Sequence, residues 1–128
     1  MTTASNILVI EDDEILRDLL AEWLQVAGYR VRVATDGNAG LAEVRDHPPA
    51  LVVTDIHMPG ADGATVIAEL RRSHPAIPVI AISGLFRCGY GLTLEGAIAL
   101  GAARALAKPF KRNEMVEAVA DLVGPPAT

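Results

Sequence analysis

Five side chains of this sequence have types and positions that could do chemistry: Glu11, Asp12, Asp55, Ser83 and Lys108. Each stands at the end of a short apolar run. Glu11-Asp12-Asp13 follows Ile7-Leu8-Val9-Ile10, and Asp55 closes the stretch begun by Leu51-Val52-Val53. Ser83 follows Val79-Ile80-Ala81-Ile82, and Lys108 comes just after Ala103-Arg104-Ala105-Leu106. Gathered at one rim, three carboxylates would repel each other and drive at least one pKa upward unless a cation sat among them. Carboxylate, carbonyl and water oxygens suit Mg²⁺. With Mg²⁺ and the Lys108 ammonium nearby, a dianionic phosphoryl group becomes electrostatically tolerable. Ser83 could donate a hydrogen bond to one of its oxygens and Lys108 could pair with another. The chemistry would then be in-line transfer to a carboxylate nucleophile, promoted by positioning and charge neutralisation.

Such a rim needs a scaffold, and the pattern supplies one. Short apolar runs, with Val31-Arg32-Val33 as the remaining member, alternate five times with amphipathic stretches. Near-continuous β-branched runs suit strands buried on both faces of a parallel sheet. In the first amphipathic stretch Ile15, Leu16, Leu19, Leu20, Trp23 and Leu24 recur at helical spacing, and Gly28 is the stop. Residues 38–46 form a second helix ended by Pro48-Pro49, and residues 63–73 a third. Residues 93–100 form a fourth, stopped by Gly101. The last carries Met115, Val116, Val119, Leu122 and Val123 and stops at Gly124-Pro125-Pro126. Five βα repeats with right-handed crossovers give an α/β fold, a five-stranded parallel sheet wound on both faces. Ligands of such sheets bind beyond the carboxyl ends of the strands, where the five side chains lie.

Bulk properties narrow the partners. At 128 residues the chain fits one domain, expected over 1–128 with a core of about 5–123. A net charge of −5, with only Arg71-Arg72 and Lys111-Arg112 as basic pairs, argues against a nucleic-acid surface. No apolar run is long enough for a bilayer, so no membrane contact is expected. The opening MTTASN carries no secretory pattern. The lone Cys88 precludes an internal disulfide and fits a reducing cytoplasm.

The motifs ILVIEDDE, TDIHMPGADG, AISG and AKPF, in this order, resemble the receiver (response-regulator) family from end to end. The resemblance implies a doubly wound, flavodoxin-like (βα)₅ domain that binds Mg²⁺. It makes Asp55 the phosphoacceptor and a metal ligand, Glu11 and Asp12 the acidic pair, and His57 the donor of a metal-binding backbone carbonyl. Ser83 corresponds to the switch hydroxyl, Lys108 to the phosphate-pairing lysine and Lys108-Pro109 to the cis-proline turn. The implied partners are a sensor histidine kinase or a histidine phosphotransfer protein, and a downstream protein target met through the fourth helix, fifth strand and fifth helix.

Other readings stand beside this one. Asp13 is a residue type that caps helices. His47, His57 and His74 lack metal-ligand spacing, and Trp23 and Met115 read as core. Gly89, Gly91 and Gly96 do not form a dinucleotide fingerprint, and Cys88 has no partner for nucleophilic catalysis. A haloacid-dehalogenase-like phosphatase would need an acid two residues after Asp55, where this chain has His57. A docking-only pseudo-receiver is the other alternative. It draws on Ala105, which stands where receivers usually carry a bulky ring. The interval from Ser83 to Lys108 also runs long for the family, placing Phe86 and Tyr90 as candidate replacements for that ring. Leu85, near the expected water path, and the His57 side chain are candidates for tuning dephosphorylation.

Overall fold

The first strand, β1 (Asn6–Ile10), lies inside the sheet: residues of alternate parity face opposite sides and all of its apolar ones are buried. The computed structural model describes residues 6–57, 63–84 and 94–125. After β1 come α1 (Glu14–Val26), β2 (Arg30–Ala34), α2 (Gly37–Asp46), β3 (Leu51–Asp55) and α3 (Gly63–Ser73). Then follow β4 (Val79–Ser83), α4 (Leu94–Leu100), β5 (Arg104–Ala107) and α5 (Arg112–Val123). All pairings are parallel and the sheet order is β2-β1-β3-β4-β5. The expected five-stranded, doubly wound fold is present.

The two faces are covered by different helices. Ile7, Val9, Leu51, Val53, Ile80 and Ile82 pack with Leu20 and Leu24 of α1 and Met115, Ala118 and Val119 of α5. Leu8, Ile10, Val52 and Ala81 pack with Val44 of α2, Val66, Ile67 and Leu70 of α3 and Ala97 of α4. This double cover explains why β1, β3 and β4 read as unbroken apolar runs rather than as alternation.

The sequence reading needs correction at the margins. β2 and β5 are edge strands, so neither is buried on both faces; Val33 is 45% exposed. β5 begins at Arg104, not Ala103, whose N–H already donates to the Val79 carbonyl at 2.8 Å. The stripe of α1 is narrower than its spacing implies, with Ile15 79% exposed and Leu19 39%. Trp23 is only half-buried, whereas Met115 is core as expected. The helix stops hold. Gly28 and Gly101 adopt φ of 111° and 121°, a region that glycine enters without steric cost. Asp13 caps α1, accepting from the Ile15 N–H at 3.0 Å. The Lys108-Pro109 bond is cis. The expectations for Leu85, Phe86, Cys88, Gly89, Tyr90 and Gly91 fall outside the described residues. Among the described residues, no helix is long and apolar enough to cross a membrane.

Burial makes a graded forecast. Leu24, fully enclosed under α1, should cost about 3 kcal/mol of unfolding free energy on truncation to Ala. The same truncation at the edge residue Val33 should cost about 0.5 kcal/mol or less. Urea denaturation of Leu24→Ala and Val33→Ala checks the contrast, and equal losses would contradict the edge placement of β2.

Candidate functional site

Parallel strands put their carboxyl ends on one side, and the order β1-β3-β4-β5 makes four of those ends neighbours. Glu11 and Asp12 leave β1, Asp55 ends β3, Ser83 ends β4 and Lys108 follows β5. β2 lies beyond β1 and contributes a tie: the Glu11 N–H donates to the Ala34 carbonyl at 3.1 Å. Backbone bonds align the other ends, Ile56 N–H to the Ile82 carbonyl at 2.9 Å and Lys108 N–H to the Ser83 carbonyl at 3.0 Å.

Four of the five side chains converge, those of Glu11, Asp12, Asp55 and Lys108. Lys108 Nζ lies 2.8 Å from Asp55 Oδ2 and 3.4 Å from Glu11 Oε1. Asp55 Oδ1 accepts from the His57 N–H at 3.0 Å, so both carboxylate oxygens of Asp55 are oriented. Carboxylate oxygens of Glu11, Asp12 and Asp55 lie within 4.8 Å of one another. Glu11, Asp55 and Ser83 are buried, whereas Asp12 opens to solvent. His57 joins the site through its backbone, and its residue as a whole is exposed.

Glu11 carries the electrostatic tension. Desolvation by burial lifts its pKa from 4.5 to about 7, against the lowering effect of the Asp13 N–H, which donates to Oε2 at 3.1 Å. The nearby Asp55 charge adds to the rise and the Lys108 charge opposes it. Burial alone would lower the pKa of Lys108. Its hydrogen bond to Asp55 and the charges of Asp55 and Glu11 outweigh that effect and leave it raised. Glu11 Oε1 is buried and accepts no hydrogen bond, its one ion pair being the 3.4 Å contact with Lys108. A hard oxygen without a hydrogen bond, among carboxylates whose oxygens lie within 4.8 Å, is what an oxygen-loving divalent cation would satisfy, so this donor set fits Mg²⁺.

Two contributors were given no role by the sequence. Arg17, one turn into α1, donates from its guanidinium to the Glu11 carbonyl at 3.2 Å and braces the acidic turn. Phe110 meets Trp23 edge to face, with ring centroids 6.3 Å apart, tying α1 to the turn after Lys108. Solvated arginines and scattered aromatics look alike in a sequence whether or not they touch a site.

Comparison with known proteins agrees with this geometry. Residues 7–120 match the family described as response regulator receiver domain. The nitrogen assimilation regulatory protein NtrX of Azorhizobium caulinodans is 35% identical over 115 residues, covering 88% of this chain and 25% of that protein. Response regulator RR06 of Streptococcus pneumoniae is 36% identical, covering 92% of this chain and 52% of its own length. This chain thus spans from a quarter to about half of such relatives. The crystal structure of the receiver domain of NtrX from Brucella abortus superposes with a TM-score of 0.83 at 34% identity, covering 91% of this chain and 97% of that one.

The raised pKa of Glu11 fixes a pH dependence for the metal-free protein. The folded state holds this proton more tightly than the unfolded state, so the penalty is absent below pH 4.5. It grows as the unfolded chain ionises first and is complete above about pH 7. In chelator, urea denaturation should therefore show the wild type losing stability relative to Glu11→Gln as pH rises from 4.5 to about 7. Parallel pH curves for the two proteins would rule this out.

Proposed function

The chain belongs to the response regulator receiver family, and on that premise we propose that it takes a phosphoryl group from a phosphohistidine onto Asp55 with Mg²⁺ bound. The observation carrying this reading is the Lys108–Asp55 pair at 2.8 Å beside the Glu11–Asp12–Asp55 cluster. Glu11, Asp12, Asp55 and the His57 carbonyl would hold the metal, which supplies neutralisation of phosphoryl charge. An Asp55 oxygen forms the new bond to phosphorus while the bond from phosphorus to the histidine nitrogen breaks. The Lys108 ammonium, already within hydrogen-bonding distance of Asp55, pairs with a phosphoryl oxygen. Ser83, at the adjacent strand end, donates its hydroxyl to another.

The phosphorylated site then biases a protein-binding face made by α4, β5 and α5, because a phosphoryl group adds contacts that differ between two states. Ala105 is half-buried on that face and borders a cleft of about 410 Å³ with Leu94, Glu95, Ile98 and Arg104. Ala105 offers no ring to carry the signal, so the switch has to run through other groups of that face. The donor is a sensor histidine kinase or a phosphotransfer protein, and the receiver of the signal is a protein. Residues 1–128 form one such domain, with a core of about 5–123, working in the cytoplasm without direct contact to nucleic acid. Catalysis is confined to its own phosphorylation and dephosphorylation.

Incubation with Mg²⁺ and acetyl phosphate, followed by intact mass measurement, tests the proposal. One phosphoryl adduct is expected, lost in Asp55→Asn and in chelator. Absence of an adduct, together with failure to bind beryllofluoride, would replace this reading with a docking-only pseudo-receiver.

A further inference from the structure

Asp55 is fixed from a third direction, behind its backbone. A Cβ built on Gly63, the first residue of α3, would stand 2.3 Å from the Asp55 carbonyl oxygen and 2.4 Å from Ile56 Cα. It would also lie 2.9 Å from the Asp55 carbonyl carbon. All three atoms are backbone, so none can swing aside as the tip of a side chain could. They are also committed elsewhere. The Asp55 carbonyl accepts the Thr54 hydroxyl at 3.0 Å, and the Ile56 N–H is bonded to β4. The Gly63 N–H itself donates to the Ile56 carbonyl at 2.8 Å, pinning the first turn of α3 to the end of β3. A methyl group at position 63 must therefore push the Asp55–Ile56 peptide, and the Asp55 carboxylate and the His57 amide would move with it.

We propose that Gly63 is a positioning residue for the phosphoacceptor. Lacking a side chain, it lets α3 start directly against Asp55 and so sets where the Asp55 carboxylate and the His57 carbonyl stand relative to Glu11, Asp12 and Lys108. This rests on the reading of Asp55 as acceptor and names a determinant of its reactivity. Gly101 provides the contrast. A Cβ there would lie 2.3 Å from Arg71 Cγ, and its φ of 121° disfavours any side chain. That strain falls on the turn before β5, at the opposite end of the sheet from Asp55. The two glycines separate displacement of the site from general loss of stability.

The test uses the whole chain as wild type, Gly63→Ala and Gly101→Ala. Magnesium chloride affinity is read by titration calorimetry, phosphorylation rate from acetyl phosphate at saturating Mg²⁺, and stability by urea denaturation. Gly63→Ala should bind Mg²⁺ about tenfold more weakly and be phosphorylated more slowly by a similar factor, the range seen when groups that orient metal ligands are lost. Gly101→Ala should lose stability yet stay within about twofold of wild type in both readouts, as distant sites act independently. Wild-type affinity and rate in Gly63→Ala would overturn the proposal, and so would equal functional losses in the two variants. If Gly63→Ala is unfolded in buffer, the same criteria apply in sucrose, which favours the compact state. A wild type that neither binds Mg²⁺ nor accepts phosphate would overturn the acceptor reading itself.

Discussion

Carboxylates held together out of water are the constraint on which the rest of this structure depends. Glu11 is fully buried, Asp55 nearly so, and their oxygens share a small volume with those of Asp12. Left alone, such a group would relax by moving apart or by taking up protons. The fold prevents the first by anchoring each acid to a strand end whose backbone is bonded to its neighbour. The second is seen in Glu11, whose affinity for protons rises towards neutrality. Lys108 offsets part of the negative charge but cannot match three acids. The remaining imbalance is what makes this donor set suited to an oxygen-loving divalent cation.

Holding such a site takes a core on each side of the sheet. β1, β3 and β4 are the most deeply buried strands, and they deliver the acids and the serine. The edge strands are treated differently. β2 contributes no reactive group, while β5, half-exposed, delivers the flexible lysine and borders the open face with α4. Rigidity thus lies under the groups whose mutual spacing matters most. Exposure lies along β5 and α4.

The sequence disclosed most of this because strand ends are legible. A β-branched run followed by a chemically distinctive residue marks both the strand and the side of the sheet that it points towards, so Glu11, Asp12, Asp55, Ser83 and Lys108 could be gathered before any coordinates. Strand order fixes which runs become edges, and that order depends on long-range pairing. Val31-Arg32-Val33 therefore resembled an interior strand until its place beside β1 alone was known. Helical spacing likewise marked a stripe on α1 without its width, which is set by how far α5 and the sheet reach around the helix. Arg17 had no signal, and Gly63 stood in the motif TDIHMPGADG with no role of its own, for a different reason. Their contributions run through backbone atoms of Glu11 and Asp55, and residue type carries no record of which carbonyl a side chain will meet.

The edge contact between Trp23 and Phe110 has an optical consequence. Trp23 is the only indole in the chain, and its neighbouring ring belongs to a residue two positions beyond Lys108. Light absorbed at the red edge of the spectrum is therefore taken up by a chromophore whose surroundings are partly defined by the turn that follows Lys108. The chain contains, without any label, a single emitter packed against the turn that follows Lys108.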